Sequence, residues 1–593
     1  MVILGIHDGH CASAALIVNG KLIASISEER LVRRKMEWCF PINAVNECLK
    51  IANLKLSDID KISYSSFYIN PIHYLTRREA TFKIEDWLKE QNDYWYPKFY
   101  LNKKPSYKKI FSKIINKEKF PYDKKLIKNE DDSKGMLKAR KEHAKKFFKK
   151  KEIEFFDHQE CHAFHVLSFD KDKKKKKLVF SIDGAGDGAN AVCWLYDPKK
   201  TNLKQIVRTD KCNIGRLYRF ITLLLGMLPV QHEYKVMGLA PYANKKYSNE
   251  VVKIFLETLD VKGINFYQKK KIKDLFFYFK DKLSRFRFDS IAYGIQNFTE
   301  IILTKWITNL TKKFKVSDIC ISGGVAQNIK ANLVISNLKS IKNILVAPGS
   351  GDEGLAIGAA YRCFFKHCNK KEKNTLVSKN PYLGNSHTDY EIEKIINKTN
   401  LRKNFIVKKI TKKGIAKLLA NEEIVGIFSG KMEFGPRALG NRSIIANPSN
   451  FQTIKTINEI IKQRDFWMPF APSIMSNNIE KYLKNGKKIS SRFMTVGCET
   501  TKLAKKHLAA AIHPYDGTVR PHIVYKEDNP EYYEIIDEFK KMTGIGAVLN
   551  TSFNLHGEPI VCRPKDAIKT FKNSGLNCLV LNSYLIKKKK LKK

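Results

Sequence analysis

The chain has 593 residues, of which 43% are hydrophobic and 28% charged, and its formal net charge is +49. This length exceeds what one hydrophobic core supports, so we expect at least two domains, and the composition excludes disorder as the main state. The charge admits a polyanionic partner. However, lysine is spread along the chain together with abundant Ile and Asn, which favours compositional bias over a nucleic-acid surface.

The cysteines and the apolar segments indicate the cellular compartment in which we expect the protein. None of the 12 cysteines forms a C-x-x-C pair, which argues against a structural zinc finger and a secreted disulfide framework. The N-terminus lacks the features of a signal peptide, and the most apolar stretch, residues 214–230, carries Arg216 and Arg219. We therefore expect a cytoplasmic protein without a membrane span.

The first half begins with a hairpin signal. Residues 14–18 and 22–25 flank Asn19-Gly20, a two-residue turn sequence, so we expect strand, turn and strand. In residues 70–151 aromatic residues alternate with lysines, which is typical either of a helical insertion with its rings packed inward or of a glycan or nucleic-acid surface. We favour a helical cap.

Apolar runs followed by Gly-rich loops predict an α/β fold. Residues 178–182, 319–322 and 344–347 read as strands, followed by DGAGDGAN, GGVAQN and PGSGDEG, and the last loop leads into a helix over 355–365. In such folds ligands bind at the carboxyl ends of the strands. Residues 366–379 are polar and predict a linker, and a second α/β unit follows from about residue 380. No internal repeat is evident.

Four residues suggest a metal site. His158 and His162 lie four positions apart, so a helix places both rings on one face. Asp183 and Asp352 follow predicted strands, although either alone also suits a loop cap. Two imidazoles and two carboxylates fit Fe(II), Mn(II) or Zn better than Ca.

Glycines suggest a nucleotide site. Gly323-Gly324 and the run 349–354, which includes Gly351, stand between strand and helix, where backbone N–H groups can approach a phosphate. Either turn alone is also an ordinary tight turn. There is no G-x-x-x-x-G-K-[ST] sequence.

The second half carries basic residues in Gly- and Pro-rich strings, where function concentrates. These are Arg437 and Arg442 in GPRALGNRS, Lys462 and Arg464 in IKQRDFWMPFAPS, and Arg520 in DGTVRPH, and the string LNTSFNLHGEPIV adds Asn550, Ser552 and Asn554. Together they predict a pocket for a small phosphorylated metabolite and a nucleotide.

The order of these strings resembles the NodU/CmcH carbamoyltransferase family over nearly the whole chain. The resemblance rests on GIHDGHCASAAL, SEER, the His158/His162 pair, the Asp183 loop, KVMGLAPYA, SGGVAQN, APGSGDEGLAIGAA, FGPRALGNRSI, MPFAPSIM, DGTVR and LNTSFNLHGEPIV. Each string alone is weakly specific, and their number and order are typical of the family.

The resemblance implies two fused domains. Residues 1–365 would form an actin-like ATPase domain, similar to threonylcarbamoyl transferases, with a helical insertion at about 70–150, and residues 380–593 a YrdC-like domain. The YrdC-like domain would convert carbamoyl phosphate and ATP, with Mg, to carbamoyl adenylate. The actin-like domain would pass the carbamoyl group to a hydroxyl of a sugar-like acceptor, with Fe(II) or another divalent metal on His158, His162, Asp183 and Asp352.

The resemblance also implies roles for other residues. Arg437, Lys462 and Arg520 would neutralise the leaving phosphate. His10 would be either the general base on the acceptor hydroxyl, because its ring would titrate near the working pH, or a structural hydrogen-bonding group. Expected substrate and nucleotide contacts are Gly323, Gly324, Asn328, Gly351, Lys235, Arg464, Asn550 and Ser552.

The chain departs from the family at two places. Cys11 stands where members usually have Asp, and Tyr234 stands where Gly is common before Lys235. The first puts the polarity beside His10 in question, and the second concerns nucleotide contacts.

Two alternatives remain. A tRNA threonylcarbamoyladenosine-type enzyme uses the same fold types and would explain the charge, but the second-half strings match users of carbamoyl phosphate. A glycan- or nucleic-acid-binding protein without catalysis would use the cap. Hydrogenase-maturation carbamoyl transfer is disfavoured because C-x-x-C fingers are missing. The sequence predicts neither the acceptor's identity nor an oligomeric state.

Overall fold

The computed structural model describes residues 1–117, 120–149, 151–200, 202–369, 372–373, 378, 380–462, 465–484 and 491–589. The chain forms two compact units. The first comprises Met1–Glu29 and Met36–Ser378, and the second comprises Arg30–Lys35 and Lys379–Lys593. Within the described residues, every helix is too short or too polar to cross a bilayer.

The first unit contains two five-stranded sheets. The strands of the first sheet are β1 (Val2–His7), β2 (Ser13–Val18), β3 (Lys21–Ser27), β4 (Lys61–Ser65) and β5 (Glu152–Phe156). The strands of the second are β6 (Lys177–Gly186), β7 (Ala189–Asp197), β8 (Asn202–Thr209), β11 (Asp318–Ser322) and β12 (Asn343–Val346), while β9 (Leu259–Lys262) and β10 (Asn265–Gln268) form a separate hairpin.

The two sheets repeat one topology. The first has the order β3-β2-β1-β4-β5 and the second β8-β7-β6-β11-β12. In each, the first three strands are antiparallel neighbours, and the last two are parallel to the first. This duplication, expected of an actin-like fold, confirms the predicted α/β class. The repeat is not evident in the sequence because the two sheets share strand order and direction but not amino-acid sequence.

Helices complete the first unit. They are α1 (Glu28–Val32), α2 (Ile42–Ala52), α3 (Pro71–Thr76), α4 (Arg78–Thr81), α5 (Ile84–Lys89), α6 (Tyr96–Tyr100), α7 (Tyr107–Ile110), α8 (Ser133–Phe147), α9 (His158–Ser168), α10 (Ile214–Leu224), α11 (Glu233–Leu239), α12 (Lys245–Leu256), α13 (Leu275–Lys282), α14 (Phe288–Phe314), α15 (Ile329–Ser336) and α16 (Leu355–His367). The division of the chain falls within α1, so Glu28 and Glu29 belong to the first unit and its last three residues to the second.

Helices α9 and α16 form the centre of this unit. Their apolar residues share one core with strands of both sheets, including Ile3 on β1, Val179 on β6 and Phe164 on α9. A Cβ atom at Gly358 would lie 1.9 Å from the carbonyl oxygen of Cys161, so glycine is required for the two helices to pack this closely.

Local sequence signals explain several elements. The predicted hairpin is confirmed, because Asn19 and Gly20 adopt φ angles of 46° and 78° and join β2 to β3. In the cap, the rings of Phe82, Trp87 and Phe111 are buried in one cluster. The predicted linker begins at residue 366, whereas α16 continues through His367; most of the remaining linker positions lie outside the described residues.

The second unit is built on a single eight-stranded mixed sheet. Its order is β13-β22-β21-β14-β15-β20-β16-β19, formed by Phe405–Lys409 (β13), Val425–Phe428 (β14), Arg442–Ala446 (β15), Ala471–Met475 (β16), His522–Val524 (β19), Ala547–Ser552 (β20), Cys578–Leu581 (β21) and Tyr584–Lys588 (β22). Cys498–Glu499 (β17) and Thr518–Val519 (β18) form a two-stranded ribbon.

Helices also flank the sheet of the second unit, as its α/β prediction requires. They are Asp389–Lys398, Leu401–Asn404, Lys412–Ala420, Gln452–Lys455, Ile479–Tyr482, Lys502–His507, Pro530–Thr543 and Pro564–Lys572. A π-helical segment, Thr456–Lys462, continues from the fourth of them.

A buried ion pair ties the cap to the end of β1. Arg140 on α8 donates to both carboxylate oxygens of Asp8, at 2.9 and 2.5 Å, and both side chains are fully buried. Tyr122 donates to the same carboxylate at 2.6 Å, and Arg140 also donates to the carbonyl oxygens of Ser65 and Ser66. Burial alone would raise the pKa of Asp8, but the Arg140 charge and these hydrogen bonds lower it.

We expect Arg140→Met to lower the free energy of unfolding by about 3–5 kcal/mol, because it leaves the buried Asp8 carboxylate without its counter-charge. Chemical denaturation at neutral pH measures the effect. Lys138→Met, on the exposed face of the same helix, is the matched control and should change stability little. Equal losses in the two variants would contradict the assignment.

Candidate functional site

His158, His162, Asp183 and Asp352 converge in the first unit. One ligand atom from each lies within 4.8 Å of the others. His158 Nε2 lies 3.0 Å from Asp183 Oδ2 and 3.7 Å from Asp352 Oδ1, and His162 Nε2 lies 3.8 and 3.5 Å from the same two oxygens. The structure therefore brings together all four residues that the sequence analysis selected as metal ligands.

Local structure positions the two imidazoles. Helix α9 begins at His158 because the side chain of Asp157 caps it, accepting from the backbone N–H of Glu160 at 3.0 Å. His158 and His162 then lie one turn apart, with ring centroids 4.8 Å apart. Nδ1 of His158 lies 2.9 Å from the hydroxyl of Ser66, which leaves Nε2 directed at the carboxylates.

The two carboxylates come from neighbouring parts of the second sheet. Strands β6 and β12 both pair with β11, so their ends lie close together. Asp352 stands in a short 3-10 turn after β12. Asp183 lies within strand β6 rather than in the predicted loop. Strand β6 continues to Gly186, with an irregular register beyond Ile182 that presents the carboxylate.

The donor set fits a divalent cation. The His162 side chain is fully buried, yet neither ring nitrogen has a hydrogen-bond partner within the described residues. A buried polar nitrogen without a partner is costly, and here Nε2 faces two carboxylate oxygens. Two imidazoles and two carboxylates suit Fe(II), Mn(II) or Zn.

The charges of the four residues are coupled. Burial disfavours the charged form of His158, but Asp352 and Asp183 outweigh it and raise its pKa to about 9. Burial likewise opposes ionisation of both carboxyl groups, but the neighbouring histidines lower the pKa of Asp183 and hold that of Asp352 well below its usual range. Both carboxylates are therefore anionic at neutral pH.

His10 lies beside this cluster. Its Nδ1 is 3.5 Å from Asp352 Oδ2. Burial lowers its pKa, but Cys11 and Asp352 raise it well above the ordinary value overall. The titration of His10 near the working pH stays a prediction, although its neighbours favour the charged ring. His7 Nε2, 2.7 Å from the carbonyl oxygen of His10, supports the turn that carries it.

Cys11 takes the place of the usual acidic residue. Its Sγ lies 3.4 Å from His10 Nε2 and 3.2 Å from Met36 Sδ. Burial raises the pKa of this thiol to about 12, so the group is neutral. His10 thus has a thiol neighbour where an acidic side chain would add a second negative charge.

The predicted glycines line the same strand ends. Gly323 has a φ of 94°, and a Cβ there would lie 2.3 Å from the Ile182 carbonyl oxygen. The backbone N–H of Gly324 donates to Asp183 Oδ1 at 3.0 Å. At Gly351 a Cβ would lie 2.6 Å from Glu353 Oε2 and 2.7 Å from Gln327 Nε2. These glycines let the backbone of two turns close around Asp183 and Asp352.

Two other predicted nucleotide contacts take different positions. Asn328 caps α15, since its Oδ1 accepts from the N–H of Ala331 at 3.0 Å, and its Nδ2 donates to Gln296. Lys235 is buried on α11, which packs against α14. Asn328 lies next to the glycine turn through the 3-10 segment Gly324–Gln327.

In the second unit, Lys462 and Ser552 meet at the end of β20. Lys462 Nζ donates to the carbonyl oxygen of Ser552, to its hydroxyl at 3.2 Å and to Asn554 Oδ1 at 2.7 Å. The lysine side chain is buried. An ammonium group at this position is suited to a charge-assisted hydrogen bond with an anion.

Asn550 connects this lysine site to the string that carries Arg437. Its Nδ2 donates to the carbonyl oxygen of Ala438 at 3.0 Å and to the hydroxyl of Ser473 at 2.9 Å. Its buried Oδ1 has no hydrogen-bond partner within the described residues. Asn550 therefore joins the Arg437 loop to β16 and leaves an acceptor for a ligand N–H.

The two arginines of GPRALGNRS differ. Arg437 is partly exposed in the loop, whereas Arg442 is fully buried and donates to the carbonyl oxygens of Ser429, Gly430, Asn441 and Asn385. Arg442 thus supports the fold.

Glu433 orders the same loop, although no local sequence pattern marks this residue as functional. Its Oε1 accepts from the backbone N–H groups of Leu439, Asn441 and Arg442.

Arg520 stands between β18 and β19 and is partly exposed. Strand β19 pairs with β16, the strand whose Ser473 contacts Asn550. Arg520 is thereby placed two strands from β20. Arg464, a further predicted contact, lies outside the described residues.

Comparisons with known proteins agree with this architecture. A family model described as Carbamoyltransferase N-terminus matches residues 2–361, and one described as Carbamoyltransferase C-terminus matches residues 416–588. An uncharacterised protein of Methanocaldococcus jannaschii is 33% identical over 99% of this chain and 100% of its own length.

Two further relatives have informative names. Nodulation protein NolNO of Sinorhizobium fredii is 29% identical over 98% of this chain and 79% of its own length. A 3'-hydroxymethylcephem-O-carbamoyltransferase of Amycolatopsis lactamdurans is 25% identical over 45% of this chain and 48% of its own length.

We expect the purified chain to bind a divalent ion and His162→Ala to lose it, because the variant removes a buried nitrogen donor. Metal analysis after removal of loosely bound ions, with Fe(II), Mn(II) and Zn offered in turn, measures this. His367→Ala is the matched control, since His367 belongs to a separate group with Glu154 and Cys363. Retention of the ion by His162→Ala and its loss from His367→Ala would assign the metal elsewhere.

Proposed function

The chain belongs to the carbamoyltransferase family, and we propose that it uses carbamoyl phosphate and ATP to transfer a carbamoyl group to a hydroxyl of a sugar-like acceptor. In this proposal the second unit hydrolyses carbamoyl phosphate to carbamate and phosphate, and the carbamate oxygen then attacks the α-phosphorus of ATP to form carbamoyl adenylate and pyrophosphate. The first unit transfers the carbamoyl group from the adenylate to the acceptor oxygen with release of AMP. Both substrates are cytoplasmic metabolites, so we place the reaction in the cytoplasm.

The convergence of His158, His162, Asp183 and Asp352 carries the proposal for the first unit. Residues from one helix and two strand ends meet around a fully buried imidazole that lacks hydrogen-bond partners. A bound divalent ion, which we propose to be Fe(II), would supply a Lewis acid that polarises the carbamoyl carbonyl. The four side chains fix where that carbonyl is placed, and the surrounding burial excludes water.

His10 is the proposed proton acceptor for the acceptor hydroxyl. Its ring lies beside the four-residue cluster, 3.5 Å from Asp352. The role requires the neutral ring, so the Asp352 carboxylate that raises its pKa opposes it in the metal-free protein. Cys11, whose Sγ lies 3.4 Å from His10 Nε2, raises the pKa of His10 as well.

The AMP part of carbamoyl adenylate is proposed to lie at the glycine turns of the first unit. Gly323, Gly324 and Gly351 let backbone N–H groups approach phosphate oxygens, and the helix that Asn328 caps adds its N-terminal dipole. Mg would accompany ATP in the second unit.

Activation of the carbamoyl group is proposed for the second unit. The Lys462 ammonium, held by Ser552 and Asn554, is placed to neutralise charge on the leaving phosphate. Arg437 and Arg520 are the proposed additional cations. The Oδ1 atom of Asn550 is suited to accept from the carbamoyl NH₂ group, since it has no other partner within the described residues.

The identity of the acceptor as a sugar-like molecule is the most specific part of the proposal. The name of the Amycolatopsis relative specifies a hydroxymethyl group as carbamoyl acceptor for that protein. Membership of the carbamoyltransferase family contradicts the alternative of a binding protein without catalysis. The tRNA-modifying alternative shares these fold types, but the matched family models are described as carbamoyltransferase, which favours the carbamoyl-transfer proposal.

We expect Lys462→Met to reduce ATP–pyrophosphate exchange, in the presence of carbamoyl phosphate, by at least about a hundredfold, because it removes the charge that stabilises the leaving phosphate. Lys413→Met, on an exposed face in the same unit, should leave exchange unchanged. Wild-type protein that binds ATP but shows no exchange would sink the adenylation step.

The two half-reactions should separate by variant. We expect His158→Ala to form carbamoyl adenylate at the wild-type rate but to lose carbamoyl transfer, because His158 belongs to the cluster of the first unit. Single-turnover assays with radiolabelled carbamoyl phosphate follow both steps. Normal transfer by both His158→Ala and His162→Ala would overturn the role of the cluster.

A further inference from the structure

Three donors meet in a buried cluster of the first unit, apart from the four-residue site. Arg78 on α4 lies 4.0 Å from the ring centroid of Trp87 on α5, and Arg219 on α10 lies 5.8 Å from the same ring. The Nε atoms of both arginines and the indole Nε1 of Trp87 are buried, and none has a hydrogen-bond partner within the described residues. The cluster therefore offers donors without matching acceptors.

The nearby carboxylates are already engaged. Glu90 accepts from Arg78 at 2.6 Å and from the Tyr107 hydroxyl at 2.9 Å. Glu79 accepts from Arg78 at 3.1 Å and from the Trp38 indole at 2.6 Å. Both carboxylates thus contact Arg78, and all four of their oxygens have a donor.

Arg219 is partly exposed, and only its Nε is buried without an acceptor. Within the described part of the chain, it makes ring contacts with Trp87 and Phe220 but no ion pair or hydrogen bond. Burial, and then the charge of Arg78, lower its pKa to about 10, although Glu90 and Glu79 raise it, so it remains charged at neutral pH. A buried N–H donor without an acceptor is unfavourable for folding, and such donors are retained where a ligand supplies the acceptor.

The cluster is connected to the proposed transfer site. Glu79, next to Arg78, accepts from Trp38, and the Trp38 ring centroid lies 6.0 Å from that of His10. Gln231 donates to the carbonyl oxygen of Glu79 at 3.0 Å and closes the same region. A molecule whose hydroxyl lies at His10 would therefore extend toward Arg219.

We propose that Arg219, with Trp87 and Arg78, binds an oxyanion of the acceptor, so that the acceptor is a hydroxylated molecule carrying a carboxylate or a phosphate. The proposal rests on the transfer function assigned to the first unit. Guanidinium groups suit both anions because their parallel N–H donors match two oxygens, and the Trp87 ring provides a flat apolar wall for a sugar ring.

Direct binding tests the subsite without catalysis. Calorimetry with glucose, glucuronate and glucose 1-phosphate compares a neutral sugar with its carboxylate and phosphate forms, using the full chain without ATP. We expect wild-type protein to prefer one of the anionic sugars over glucose by roughly 10- to 100-fold, the range of a charged hydrogen bond. The preferred form distinguishes carboxylate from phosphate.

Variants of one helix assign the preference. Arg219→Gln should abolish it, Arg219→Lys should retain part of it, and Arg216→Gln, at an exposed position of α10, should leave it unchanged. No anion preference in wild-type protein, or an undiminished preference in Arg219→Gln, overturns the proposal. Loss of ADP affinity in Arg219→Gln with unchanged sugar binding would assign Arg219 to the nucleotide instead.

A stability comparison separates ligand binding from a structural role. Arg219→Met should leave the melting temperature of the ligand-free protein unchanged or raise it, because it removes a buried Nε that has no acceptor within the described residues. Arg78→Met should lower it, because Glu79 and Glu90 lose their shared cation. A lower melting temperature in Arg219→Met would identify a structural arginine and refute the proposal.

Failure of the proposed function would give a different set of results from failure of the Arg219 subsite. Pyrophosphate exchange depends on the second unit, so Arg219→Gln should keep the wild-type exchange rate. Absence of exchange from wild-type protein would refute the adenylation chemistry, whereas the sugar preference and the melting temperatures would still decide the role of Arg219.

Discussion

The first unit is organised around two carboxylates, Asp183 and Asp352, that are withdrawn from water and lie close to one another. Their mutual repulsion and loss of hydration would be prohibitive without positive charge nearby. His158 and His162 supply it in the ligand-free chain, and the pKa of His158 rises to about 9 as a result. The same charge balance makes the cluster a cation site, because a divalent ion can replace the protons on the imidazoles.

The duplicated sheets explain how these groups are assembled. Parallel strands β6, β11 and β12 end at one edge, and the glycines after β11 and β12 let their turns close around the carboxylates. Helix α9 brings its histidines to that edge because Gly358 allows close packing against α16. The precision of the site thus depends on backbone contacts that larger side chains would prevent.

The buried arginines and lysines of the chain contact different kinds of group. Arg140 and Arg442 are fully buried and donate to Asp8 and to backbone carbonyl oxygens respectively, and they support the fold. Lys462 donates to Ser552 and Asn554 at the end of β20, and the buried Nε of Arg219 has no acceptor within the described residues. The ligands proposed for the latter two are anions, because a guanidinium or ammonium group binds an oxyanion through charge-assisted hydrogen bonds.

The sequence by itself determined the family, the α/β class, the hairpin at Asn19-Gly20 and the candidate ligands His158, His162, Asp183 and Asp352, because these depend on local order and on residue type. Tertiary structure alone decided that the four ligands meet, since Asp183 and Asp352 are distant in the chain and become neighbours only through strand order. It also separated Arg442 from Arg437, placed Asp183 within a strand, raised the pKa of His10 and left the buried Nε of Arg219 without an acceptor within the described residues. Each of these outcomes depends on which distant groups surround a side chain, and no spacing along the chain encodes that.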